Sequence, residues 1–202
     1  MNFKLYNTFL QIIFVGIISL WMHTSIIASH YTGFDLTYAC IGPNQYRVTL
    51  KVYRDCNGID VGTTQLINYR STACGVNSSL TLNVQSVTDI TPLCPSQPSA
   101  CGGAGPIGVE LHIFTGVLTL PPGCNDWILS SSSCCRNSAI TNLTSPSSND
   151  IYVQTTLNNT IVPCNSSPVF STNPQLFVCV NQAVNYQQLA TDPDGDVLVY
   201  SM

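Results

Sequence analysis

The sequence predicts an all-β protein, with a disulfide-stapled antiparallel β-sandwich followed by an incomplete Ig- or cadherin-like β domain. Three observations predict this fold class. Apolar residues recur at every second position in short runs, clusters of Gly, Pro, Asn and Ser separate the runs, and ten cysteines follow an apolar N-terminal segment. Period two is the pattern of half-buried strands, and many short strands between turn residues are typical of sandwiches.

The first two runs predict a β-hairpin around the turn sequence "IGPN". In the first run, one face carries Phe34, Leu36, Tyr38 and Cys40. In the second run, the residues assigned to the core are Tyr46, Val48, Leu50 and Val52. The intervening residues Arg47, Thr49 and Lys51 are assigned to the outer face. Further strands are predicted within 63–70, 79–87, 107–114, 126–131 and 150–157.

The N-terminal segment, residues 1–29, is predicted to be a signal peptide. Its apolar part runs from Phe9 to Trp21, and Ala28 and Ser29 supply the small residues of a cleavage site. An uncleaved membrane anchor is the alternative, because no charge occurs between residues 5 and 29. Either reading predicts export through the inner membrane, to a secreted or cell-surface location.

Two domains are predicted after the signal peptide. Residues 30–163 form the sandwich, and a polar linker with several prolines then begins residues 164–202, the start of a second Ig- or cadherin-like domain. Two or three strands are too few to complete that domain, so we expect this chain to be part of a longer protein.

The cysteines are predicted to form a disulfide framework, because their number is even and the chain is exported. They are Cys40, Cys56, Cys74, Cys94, Cys101, Cys124, Cys134, Cys135, Cys164 and Cys179. A direct bond between adjacent cysteines fits ordinary disulfide geometry poorly, so Cys134 and Cys135 are expected to bond different, distant partners. Spacing alone leaves the pairing open; local bridges Cys94–Cys101 and Cys164–Cys179 are expected.

The composition argues against nucleic acid as a partner and the motifs argue against catalysis. Charged residues make up 8% of the chain, and no basic cluster is present to neutralise phosphates. Arg47, Lys51 and Arg54 are interpreted as a solvated strand face. Glu110 and His112 lie two apart and therefore point to the same side of a strand, but no third ligand is visible and they are interpreted as a solvated polar pair. No catalytic residue is predicted.

One group of carboxylates predicts a metal site. Asp192, Asp194 and Asp196 alternate with Pro193 and Gly195 in "ATDPDGD", and such a turn can bring carboxylates together. Carboxylate oxygens suit Ca²⁺, which takes six to eight oxygen ligands. The alternative is a solvated β-turn. Calcium is the one cofactor that the sequence suggests.

Four segments carry a resemblance to a known family: "YRVTLKVYRDC", "CCRN", "CNSSPVFSTNPQLFVCVNQ" and "ATDPDGD". Together they resemble the N-terminal region of large secreted surface proteins of Bacteroidota, which carry PKD-like or cadherin-like repeats and a sorting domain for gliding motility or type IX secretion. The resemblance implies a non-catalytic cell-surface module with a structural or adhesive role. Its implied partners are other surface proteins or extracellular polymers, with membrane contact only through an uncleaved N-terminal segment.

The alternative function is a binding module, for example for carbohydrate, attached to a secreted hydrolase. A sugar-binding module needs a row of exposed aromatic side chains. The candidates are Tyr31, Tyr53, Tyr69 and Trp127.

Overall fold

The computed structural model describes residues 31–93, 97–174, 181, 183, 185–187 and 189–201. The predicted signal peptide, Cys94 and Cys179 lie outside these described residues. Nine strands are present in this part of the chain: β1 (Tyr31–Gly42), β2 (Gln45–Asp55), β3 (Thr64–Ser71), β4 (Val76–Asp89), β5 (Val109–Thr119), β6 (Trp127–Ser133), β7 (Ile151–Leu157), β8 (Val169–Phe170) and β9 (Ala190–Thr191). Two single turns of 3₁₀-helix, at Ala100–Gly102 and Pro146–Ser148, lie in the loops.

Seven of the strands form one antiparallel sheet in the order β1-β2-β5-β4-β3-β6-β7. The sheet curls until its two end strands meet, where the Tyr38 hydroxyl on β1 donates a 2.9 Å hydrogen bond to the Thr156 carbonyl on β7. Bulges in the β1–β2 and β4–β5 ladders increase twist and help the sheet to curl. The predicted antiparallel, disulfide-stapled all-β fold is therefore confirmed, with its strands joined in one nearly closed sheet.

The core lies inside this curled sheet, and the predicted register of β2 is confirmed. Tyr46, Val48, Leu50 and Val52 are each 0% exposed. Across the ladders, Leu50 lies between Leu36 and Phe114. The inner side chains of the other strands complete the core, with Ile67, Leu82, Phe114, Trp127 and Leu129 fully buried.

Gly116 on β5 allows two strands to pack closely. A Cβ atom at this position would lie 2.7 Å from a methyl carbon of Leu82 on the neighbouring strand β4. That distance is well inside van der Waals contact, so a larger residue would displace Leu82 from the core.

The segment predicted to begin a second domain contributes only two short strands among the described residues. β8 and β9 pair antiparallel through Val169–Thr191 and Phe170–Ala190. Beyond them, Val197 and Val199 are 91% and 88% exposed. In the described part of the chain, no helix has the length and apolar character needed to cross a membrane.

Within the described residues, four disulfide bonds join eight cysteines: Cys40–Cys164, Cys56–Cys101, Cys74–Cys124 and Cys134–Cys135. The expected local bridges are wrong, because Cys101 bonds Cys56 and Cys164 bonds Cys40. The curled sheet brings these partners within 5.0 and 5.2 Å, measured between Cα atoms, although they are 45 and 124 residues apart in sequence.

The expectation that Cys134 and Cys135 bond different partners is also wrong, because they bond each other. Cys135 has a φ of 89°, a conformation that L-residues rarely adopt. Arg136 and Asn137, which follow the two bonded cysteines, connect this loop to Asn149 and to Asp55 at the end of β2. The Arg136 amide donates to the Asn149 carbonyl at 3.1 Å, and the Asn137 side-chain amide donates to Asp55 Oδ2 at 2.9 Å.

Candidate functional site

A network of buried hydrogen bonds and a disulfide connects strand β1 with residues 163–167, and we call this contact the joint. Its members are Tyr38, Cys40, Pro163, Cys164, Ser166 and Ser167. As an end strand of the sheet, β1 presents backbone N–H and C=O groups that β2 does not pair. The sequence "PCNSS" supplies a cysteine and two hydroxyls to that edge.

Hydrogen bonds between Tyr38 and Ser167 close the middle of the edge. The Ser167 amide donates to the Tyr38 carbonyl at 2.9 Å, and the Tyr38 amide donates to Ser167 Oγ at 2.9 Å. Next to this pair, the Cys40 amide donates to Ser166 Oγ at 3.2 Å. Both serines are more than nine-tenths buried, and these bonds offset the cost of removing their polar groups from water.

Pro163 and Cys164 fix the beginning of the segment. The Pro163 carbonyl accepts hydrogen bonds from the Asn44 amide at 2.9 Å and from the Tyr46 hydroxyl at 3.0 Å. The next residue is joined covalently to Cys40. The chain leaving the sheet is thus bonded to the β1–β2 hairpin at successive positions before it continues to β8.

Tyr38 links the joint to the closure of the sheet. Burial raises the pKa of its phenol to about 12, with smaller contributions from Tyr46, Asp192 and Asp194. The phenol is therefore neutral at physiological pH and remains a donor to Thr156 on β7. Tyr38 therefore connects the two end strands through its hydroxyl and binds Ser167 through its backbone.

The predicted calcium residues include two, Asp192 and Asp194, whose carboxylates accept hydrogen bonds from backbone amides. Asp192 Oδ1 accepts from the amides of Asp194 at 2.9 Å and Asp196 at 3.2 Å. Asp194 Oδ2 accepts from the Ser166 amide at 2.6 Å. Their three carboxylates do not form a group within 4.8 Å of one another, so this conformation does not assemble the predicted calcium ligands.

Among the described residues, one group of three metal-ligand types does lie within 4.8 Å: Cys56, Cys101 and Glu110. The two cysteines are bonded to each other and offer no thiolate to a metal. While the bridge is intact, this group therefore offers a metal only the carboxylate of Glu110.

The interpretation of Glu110 and His112 as a solvated pair is wrong. His112 is 3% exposed, and its Nε2 lies 3.0 Å from Glu110 Oε2. Arg54, also interpreted as solvated, donates to the same oxygen at 2.7 Å and to the Gly58 carbonyl at 2.6 Å. His112 Nδ1 is buried without a partner, so the ring is best satisfied as the tautomer that carries its proton on Nε2 and donates it to Glu110. The cluster braces β2 against β5 and the loop after β2.

The aromatic residues suggested for sugar binding are not an exposed row. Tyr31, Tyr53 and Trp127 are 7%, 4% and 0% exposed, and Tyr69 is partly buried against the core. A different aromatic cleft, of about 170 Å³, lies between β1 and the C-terminal segment. Its exposed rim is formed by Phe170 and Tyr186, with Asp35 in the wall. Burial raises the pKa of Asp35, although Lys51 at 3.7 Å opposes the shift.

Sequence reasoning missed Ser166 and Ser167, the central residues of the joint. Their segment was interpreted as a polar linker because it is rich in Ser, Asn and Pro. The available signal was the cysteine inside it, since a linker that carries a disulfide is fixed at that point. Comparisons with protein-family models, with curated proteins and with solved structures found no match.

Proposed function

We propose that this chain is a non-catalytic extracellular module with a structural or adhesive role, secreted or displayed at a cell surface. One observation carries the proposal: the joint fastens the segment after the curled sheet to strand β1, by a disulfide and by several buried hydrogen bonds. This arrangement suits a module whose task is to hold the C-terminal part of the chain in a fixed position.

The other features agree with an exposed environment outside the cell. The described chain contains four disulfides, and such bonds persist in oxidising compartments. The joint depends on neutral groups, so extracellular changes of salt affect it little. We propose other surface proteins or extracellular polymers as its partners, and a cadherin-like or PKD-like role for the segment after the joint.

An adhesion assay tests this function. Beads coated with the exported, oxidised protein are expected to attach to cells or to surfaces coated with extracellular polymers. Beads coated with the Cys40→Ser/Cys164→Ser variant test whether attachment depends on the joint. Beads coated with the Cys134→Ser/Cys135→Ser variant are the control for loss of a bridge elsewhere. Attachment equal to that of uncoated beads on every surface would contradict the adhesive role.

The aromatic cleft favours carbohydrate binding as a second candidate function. Exposed aromatic rings beside a carboxylate are a chemistry that holds sugar rings, and Phe170 and Tyr186 are 41% and 49% exposed. A glycan array separates the two proposals. Binding that is lost in Phe170→Ala/Tyr186→Ala and kept in Tyr152→Ala, which removes a 55% exposed ring on β7, would support this second function.

A further inference from the structure

The bridge of the joint divides the chain into a short covalent path and a long enclosed loop. Cys40 and Cys164 are 124 residues apart in sequence, and the loop between them contains strands β2 to β7. The short path enters at Tyr31, follows β1 to Cys40, crosses the disulfide to Cys164, and continues towards β8 and β9.

We infer that Cys40–Cys164 is a mechanical shortcut, through which tension applied along the chain passes from β1 to the C-terminal segment without loading the enclosed loop. The inference deepens the structural role proposed above and rests on it for its biological use. A surface module pulled by a partner transmits force between its two ends. With the bridge intact, residues 41–163 cannot lengthen, whatever happens to their hydrogen bonds.

The geometry of β1 adds to this effect. Both ends of the loaded part, Tyr31 and Cys40, belong to the same strand. A strand rises by about 3.3 Å per residue, close to the length of a fully extended chain, so tension along it releases little length. Tension along one strand also does not slide it against β2, because the force leaves that strand at Cys40 instead of passing through the ladder.

The hydrogen bonds of the joint set the order in which the remaining chain responds. Residues 166–167 are buried against β1, whereas Val197, Val199 and Tyr200 are exposed. We therefore expect the C-terminal segment to extend first, as far as Ser167, and the bridge to carry the tension from then on.

Single-molecule pulling tests the shortcut, with one handle attached before Tyr31 and the other after Met202. Every chain carries Cys94→Ser and Cys179→Ser, so that only the four described bridges remain. The test variant adds Cys40→Ser/Cys164→Ser, and the matched control adds Cys134→Ser/Cys135→Ser, which removes a bridge that encloses no loop.

The released lengths depend on the remaining bridges. Without Cys40–Cys164, the bridge Cys74–Cys124 still shortens the path, and about 74 residues become extensible. At about 3.3–3.6 Å per residue, the test variant should release about 240–270 Å more than the parent chain. The control should release the same length as the parent.

Two results would overturn the inference: a parent chain that releases as much length as the test variant, or a test variant that releases no more than the parent. If the test variant does not fold, a thiol reductant added while the parent is held under tension replaces it. Cys164 is exposed, and the loaded bond should be cleaved first, giving the same step of about 240–270 Å. No step after reduction would also refute the shortcut. Failure of the bead assay with a positive pulling result would reject the adhesive role and leave the shortcut standing.

Discussion

Removing the bridge Cys40–Cys164 is expected to lower the free energy of unfolding more than removing any other described bridge. A disulfide stabilises a protein mainly by restricting the unfolded chain, and its effect grows with the loop it closes. The loops closed by Cys40–Cys164, Cys74–Cys124 and Cys56–Cys101 correspond to sequence separations of 124, 50 and 45. Loop entropy gives about 5, 4 and 4 kcal/mol for these bridges taken singly.

The other bridges reduce the first value slightly, because they shorten the effective loop to about 74 residues. We therefore expect Cys40→Ser/Cys164→Ser to lose about 4–5 kcal/mol by loop entropy, the upper end of the usual range for one disulfide. Cys134–Cys135 spans one peptide bond and restricts almost no unfolded conformations. Its removal in Cys134→Ser/Cys135→Ser should cost less than about 1 kcal/mol, as is usual near a surface.

Urea unfolding under non-reducing conditions measures both effects. Trp127 is fully buried and its Nε1 donates to Asn159 Oδ1 at 3.3 Å, so its fluorescence reports loss of the core. The expected result is a large fall of the urea midpoint in the first variant and little change in the second. Equal midpoints for Cys40→Ser/Cys164→Ser and the parent, or a larger loss in the adjacent-cysteine variant, would refute the loop argument.

Three further predictions concern single side chains. Leu50→Asp buries an unpaired charge and should abolish secretion of folded protein, whereas Thr49→Asp on the opposite face should be secreted. If Leu50→Asp unfolds at the same temperature as the parent protein, the assigned register is wrong. Burial raises the pKa of Tyr38 to about 12, so the fold favours the neutral phenol. This contribution to stability is complete below pH 10, amounts to about 3 kcal/mol, and is lost as the pH rises through 12. Unfolding of Tyr38→Phe should therefore depend less on alkaline pH than unfolding of the parent, and an equal dependence would count against this. Calcium binding at Asp192, Asp194 and Asp196 stays a prediction. Isothermal titration with Ca²⁺ should give a heat of binding that is absent in Asp194→Ala, and equal heats in the parent and this variant would exclude the site.

The strands could be predicted from the sequence because their signal is local. Alternate residues of β2 are fully buried, as the period of two required. The predicted hairpin is present, with Pro43 and Asn44 of "IGPN" as its turn and Ile41 and Gly42 as the last residues of β1. Each of these features depends on neighbours only a few positions away. The same local logic located all seven strands of the large sheet, although β5 extends five residues beyond the predicted end at residue 114.

The bridges and the joint could not be predicted in this way, because they depend on where distant segments meet. Cys164 bonds Cys40 since the sheet curls and brings residues 163–167 to the free edge of β1, a fact that no spacing encodes. Ser166 and Ser167 looked like linker residues for the same reason. Their hydroxyls acquire a structural role only when an unpaired edge lies opposite them.

The aspartate run shows why residue type alone was insufficient to place a site. Carboxylates in a turn can bind a cation, but they can also accept hydrogen bonds from nearby amides. Here Asp192 accepts from the turn itself, and Asp194 accepts from Ser166.

The hydrogen bonds of the joint contain little charge. Among the described residues, two Lys or Arg ion pairs lie on β1, β2 and β5, at Lys51–Asp35 and Arg54–Glu110. The bonds from Pro163 to Ser167 instead join hydroxyls, amides and carbonyls, with the Asp194 contact as the exception. Neutral hydrogen bonds are little screened by salt, and the Tyr38 phenol titrates far above physiological pH. A chain with 8% charged residues can therefore hold its segments together by disulfides and buried neutral bonds, whose strength changes little with ionic strength.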